Sequence, residues 1–150
     1  MKIIRVTTDN KVTAHDYPEG DFSRQNTALS ELIGNGCELV ERVHPKRLYE
    51  KLKFSCQPTM NEGESVSMLV DEEGLLKDDV IVNPIGSFLY ETDKHGYIIA
   101  GNILFVGEQI AGDGISYCGL SDINFNRLKT CLEQMASILN EEVQICLELR

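Results

Sequence analysis

Residues Tyr97–Val106 read YIIAGNILFV, the best candidate for a core strand anywhere in the chain. Isoleucine, leucine, phenylalanine and valine crowd it, as they do a pleated surface packed against a core. Gly101 divides the run, so it reads either as a strand pair or as one bulged strand. Upstream, Asn83–Pro84 pairs a helix-capping amide with the proline favoured at the first helical position, which predicts a short helix over Pro84–Tyr90. Downstream, Ser121 or Asp122 caps an amphipathic helix in which Phe125, Leu128, Leu132, Met135 and Leu139 recur at steps of three and four, forming one apolar stripe. Seven of the twelve glycines fall between Gly86 and Gly119, so this third of the chain is expected to be rich in turns.

The first half of the chain supplies more strands than helices. Lys2–Thr7 and Val12–Tyr17 flank Thr8–Asp9–Asn10–Lys11, two β-rich runs around a turn signal, and predict a hairpin. A helix is expected over Arg24–Ile33, with Ser23 as its cap, Leu29, Leu32 and Ile33 on one face, and Gly34 ending it. Cys37–Val43 reads as a strand stopped by His44–Pro45, Lys46–Lys53 as two helical turns, and Phe54–Glu64 as a loop. Ser65–Asp71 alternates as a strand, and Glu142–Arg150 places Val143, Ile145, Leu147 and Leu149 on one side of a last strand that could lie near the first. The expected fold is a single α+β domain over residues 1–150: a mainly antiparallel sheet of about five or six strands, with two or three helices packed on one face.

Composition bounds the function. At 150 residues and 16.8 kDa there is room for one domain, and 42% hydrophobic with 25% charged residues is ordinary for a globular chain. A net charge of −10 argues against general nucleic-acid binding. No apolar run approaches the roughly 18 residues of a membrane span. The opening MKIIRVTTDN turns polar too early for a secretory signal. Five cysteines without a C-x-x-C pair fit reduced thiols, so a cytoplasmic location is expected.

Few constellations suggest chemistry. Residues 62–79 hold Glu62, Glu64, Asp71, Glu72, Glu73, Asp78 and Asp79 against Lys77, and Asp71, Glu73 and Asp78 could offer oxygens to a hard cation. The calcium-loop spacing is absent, and a solvated turn is the simpler reading. Gly107–Gly114 matches G-x-x-x-x-G but continues Asp113–Gly114 where a phosphate loop needs lysine and a hydroxyl, so it is no phosphate cradle. Cys118 and His95, with Asp93 or Asp113 to orient the base, could converge as a nucleophile pair, although no catalytic signature requires it. Arg42, Lys46, Arg47, Lys51 and Lys53, with Tyr49 and Phe54 among them, form one basic island in an otherwise acidic chain. That island reads as a solvated helix face or as a docking patch for an acidic partner.

Met68–Tyr90 and His95–Glu108 carry a resemblance. Asp71–Glu72–Glu73–Gly74–Leu75, Asn83–Pro84–Ile85–Gly86–Ser87, the run Ile99–Ala100–Gly101–Asn102 through Val106, Leu120–Ser121, and the opening Met1–Ile4 resemble motifs of an uncharacterised domain family. That family occurs in short proteins of bacterial phages, plasmids and conjugative elements. The likeness covers roughly residues 1–6 and 66–130, and leaves 45–63 and the tail past Asn140 outside it. It implies a mobile-element setting and no particular activity.

The expected function is therefore a non-catalytic protein-interaction module with an unidentified protein partner, no catalytic residue and no cofactor or metal. Two alternatives stand beside it. One is a small metal- or ligand-binding or enzymatic domain using the Asp71–Glu73 turn with Asn83 and Asn102, placed where loop ends often carry sites. The other is an acidic DNA mimic directed at a host nuclease.

Overall fold

A computed structural model describes residues 1–148 of the chain, excepting the side chains of 143–147. The elements run β1 (Lys2–Val6), β2 (Val12–Asp16), α1 (Phe22–Ile33), β3 (Val40–Val43), α2 (Lys46–Glu50), β4 (Ser65–Asp71), a 3₁₀ turn (Gly74–Leu76), α3 (Pro84–Leu89), α4 (Thr92–His95), β5 (Ile103–Ala111), β6 (Gly114–Cys118) and α5 (Asp122–Glu148). The strands form one antiparallel sheet in the order β2-β1-β5-β4-β3. β6 pairs with the far half of β5 and extends the row begun by β1, to which the bridge Lys2–Leu120 joins it. The α+β single-domain class expected from the sequence is the one found.

β5 is the axis of the sheet because both of its faces are apolar. Ile103 and Phe105 point to one side, Leu104 and Val106 to the other, and all four are fully buried. On the first face they meet Ile4, Val6, Val66, Met68 and Val70, covered by Leu48 of α2, Ile85 and Leu89 of α3, and Leu128, Leu132 and Ala136 of α5. On the second face Leu104 and Val106 join Ile3 and Leu69 under Leu29 and Ile33 of α1. The two or three helices expected on one face are α2, α3 and α5, and α1 adds a further helix on the opposite side. A strand whose two faces are equally apolar must be covered on both.

Local chemistry explains most element ends. Asp21 caps α1, its carboxylate accepting from the Arg24 N–H at 2.9 Å, so the helix starts earlier than a Ser23 cap would allow. Asn83 caps α3 with Pro84 at its first position, as expected. Ser121 caps α5, its Oγ accepting from the Asn124 N–H at 3.2 Å.

Two further expectations are corrected, and one strand is longer than expected. The strand placed at Tyr97–Val106 begins only at Ile103, because Gly101 at φ +82° turns the chain and leaves Ala100 in a single bridge to Val82. The glycines after it do not break the strand: β5 runs through Gly107 to Ala111, turns at Gly112–Asp113 and returns as β6. The strand expected over Glu142–Arg150 is helix to Glu148, with Leu149 and Arg150 outside the described residues. No glycine or proline interrupts the chain after Ser121, so the helix has no breaker, and the alternation of Val143 and Ile145 does not override it. Among the described residues no helix is long and apolar enough to cross a membrane.

Candidate functional site

Two of the four residues singled out for ligand binding meet at one end of the sheet. Asp71 closes β4, nearly buried, and its Oδ1 accepts from the Glu73 N–H at 2.9 Å, the short side-chain-to-backbone bond that starts a turn. Its Oδ2 lies 3.4 Å from Lys77 Nζ, which also donates to the Gly36 carbonyl at 3.2 Å. Asn102, just before β5, accepts from the Thr8 N–H at 3.2 Å and donates to the Ile33 carbonyl at 2.9 Å. Together with Thr8, Lys77, Asp79 and Ile81 they line a cleft of about 170 Å³.

That cleft is a poor ligand site. Small-molecule pockets enclose about 300–1,000 Å³ and present polar groups free to bind. Here the volume is smaller, and the carboxylate and amide already serve the turn, the lysine and two backbone segments. Both residues read best as fasteners joining β4 and the start of β5 to the loops around them.

Glu73 and Asn83 stand elsewhere. Glu73 is exposed. Asn83 is fully buried: its Nδ2 donates to the carbonyls of Val6 at 3.1 Å and Gly101 at 3.0 Å, and its Oδ1 accepts from the Gly86 N–H at 2.9 Å. It fixes α3 to β1 and to the Gly101 bend. Asp71, Glu73 and Asp78 make no cation site, since among the described residues no three His, Cys, Asp or Glu side chains converge.

The basic island is dispersed by its own pairings. Arg42 on β3 donates from Nε to Ser67 Oγ at 3.1 Å and from Nη2 to Glu108 at 3.3 Å. Arg47 holds Asp93 through two bonds of 3.0 and 3.1 Å, donates to the Phe88 carbonyl and stacks 4.4 Å above the Phe88 ring. Lys46 lies 3.9 Å from both Glu50 and Glu91. Lys51 and Lys53 alone of the five remain as exposed cations without such a pair among the described residues.

Cys118 and His95 are not brought together. Cys118 lies buried opposite Gly107 in the sheet, and His95 sits on α4 between the rings of Tyr90 and Tyr97. Burial pushes the Cys118 thiol up, and the same cause pushes Tyr17 up to about 12. Neither ionises near neutrality, which removes a thiolate nucleophile here.

Two features were not read from the sequence. Glu108 is buried in the second face of the sheet, where Ser67 donates to its carboxylate and Arg42 reaches it. Continuing the alternation of β5 past Val106 would have placed it there. The second feature is the loop after β4. Leu75, Leu76, Val80, Ile81 and Val82 are between 42% and 81% exposed, five large aliphatic residues within eight positions. Attention to the acidic residues of this stretch hides the aliphatic ones beside them.

The loop is held in shape. Gly74 passes so close to Ala100 that an added Cβ would lie 3.2 Å from its carbonyl oxygen. At the other end Gly101 donates to the Ile81 carbonyl at 2.8 Å, and Val82 bridges Ala100. On the near side the Glu72 N–H donates to the Leu39 carbonyl at 3.0 Å, so backbone bonds hold the loop both before and after its 3₁₀ turn. Compared with models of known protein families, with characterised proteins and with solved structures, the chain matches none.

Proposed function

We propose that this chain is a non-catalytic protein-interaction module whose contact surface is the aliphatic loop Leu75–Val82. The observation that carries the reading is the exposure of those five side chains on a loop tethered by backbone bonds at Glu72 and Ile81. Elsewhere Phe22, Met60 and Ile123 are exposed far apart in sequence. Ile110 and Ile115 face each other across β5 and β6, and Phe88 and Ile138 share one groove, each a smaller group than the five of the loop. A cluster of aliphatic groups left in water is the usual mark of a surface that another molecule covers. The mobile-element setting rests on the motif resemblance alone. The DNA-mimic alternative has less support, because the carboxylates Glu72, Glu73, Asp78 and Asp79, unpaired among the described residues, share their loop with five exposed aliphatic residues, which a phosphate-like array of charges does not call for.

A photo-crosslinking residue tests the reading. Placed at Leu76 in the full chain and irradiated in extract of the source cells, it is expected to give one discrete protein adduct that disappears with Ile81→Asp. The same residue at Lys129 on α5 serves as the control. Identical adducts from both positions, or none from Leu76, would exclude the loop as the contact surface.

A further inference from the structure

We infer that the partner of this loop is a cationic amphipathic peptide segment, with lysine or arginine interleaved among aliphatic or aromatic side chains. The inference rests on the interaction reading above and concerns what the loop accepts. The aliphatic residues do not stand alone: Glu72, Glu73, Asp78 and Asp79 are exposed on the same loop, two just before the leucines and two just before Val80. Among the described residues none of these four carboxylates lies in an ion pair. The single cation of the loop, Lys77, is turned inward, three-quarters buried, with Asp71 and the Gly36 carbonyl as its partners. The outward surface is therefore aliphatic and anionic, with its positive charge withdrawn.

Each kind of occupant meets that surface differently. A purely apolar segment would cover the leucines but strip water from carboxylates without replacing it, which is costly. Nucleic acid, an anionic membrane leaflet or an acidic peptide would be repelled. Lysine and arginine satisfy both parts at once: their methylene stems lie along aliphatic surface while their charged heads reach the carboxylates. The loop needs little ordering to bind, because backbone bonds at Glu72 and Ile81 already hold it on both sides, and a preformed surface loses less entropy on association.

The test starts from the purified full chain. A displayed library of random 16-residue peptides is selected on it and counter-selected on the double variant Leu76→Asp, Ile81→Asp. The selected peptides are synthesised with a fluorophore and titrated by anisotropy. The expected consensus carries Lys or Arg between Leu, Ile or Phe. Affinity is expected to fall about tenfold on neutralising the rim with Glu72→Gln, Glu73→Gln, Asp78→Asn and Asp79→Asn together, and by a similar factor between 50 and 500 mM NaCl. All substituted positions are exposed, and an unchanged melting curve confirms that each variant folds. Peptides that need Leu76 and Ile81 but ignore the rim would overturn this inference and leave the interaction reading standing. Absence of any peptide dependent on Leu76 and Ile81 would overturn both. Self-association of the chain abolished by Leu76→Asp would also overturn the inference, replacing the peptide with a second copy.

Discussion

Asn83 ties three segments of the chain together through one buried side chain. Its amide uses two donors and an acceptor on three segments, two of them distant in sequence, and no water reaches it. Asn83→Ala removes three hydrogen bonds from a buried side chain and leaves the Gly86 N–H without its cap. The expected loss is about 2–4 kcal/mol, read from urea unfolding, with the midpoint falling and the slope unchanged. Asn102→Ala, at a half-buried position with two bonds, should cost less. Part of Asn83's role was legible: asparagine before proline spells a helix cap. Its bonds to Val6 and Gly101 were not, because nothing local in a sequence says which carbonyls a fold will bring to an amide. Asp71 and Asn102 show the same limit from the other side. Their convergence followed from the fold, but bonding within the protein already accounts for them.

At the scale of elements, α2, α3 and α4 meet around a buried carboxylate. Glu91 stands at φ +64°, a left-handed conformation that residues with a side chain seldom adopt. Lys94 Nζ at 3.0 Å, Arg47 Nη2 at 3.6 Å and Lys46 Nζ at 3.9 Å surround it. The hydrogen bond from Lys94 leads in holding the Glu91 carboxyl below its ordinary value, with Lys46 and Arg47 adding to it, and the bond from Arg47 lowers Asp93 likewise. A carboxyl lowered in the folded state contributes stability above its unfolded pKa, about 4.3 for glutamate, and loses that contribution as pH falls through the folded value. Wild type should therefore melt higher than Glu91→Gln at pH 6, and the gap should narrow steadily toward pH 3. A gap that stays constant over that range would show that the ion cluster is not its source. The basic residues of this corner looked like a patch for a partner because their acidic neighbours, Glu91 and Asp93, lie some forty positions away. Ion pairs between remote elements are invisible to local charge counting. The amphipathic stripe of α5 was legible for the opposite reason, since three- and four-residue spacing is a property of the helix itself.

The whole molecule is organised around its latest core strand. β5 spans Ile103–Ala111, while the strands beside it, β1 and β4, begin at Lys2 and Ser65. The sequence pointed to this stretch as a core strand, yet could not say that the two flanking strands reach it from so far upstream. A fragment ending at Ala100 lacks the strand that joins β1 to β4, and thermal unfolding followed by circular dichroism should show no cooperative transition. A sharp transition in that fragment would mean that the N-terminal elements hold together without the axis. The same order has a consequence during synthesis. All seven residues of β4 are buried in the finished protein, but the ribosome makes them roughly 2–8 s before the end of β5, at ordinary elongation speeds. For the same interval Val66, Met68, Leu69 and Val70 wait without the strand that covers them, so the sheet cannot close until β5 has been made.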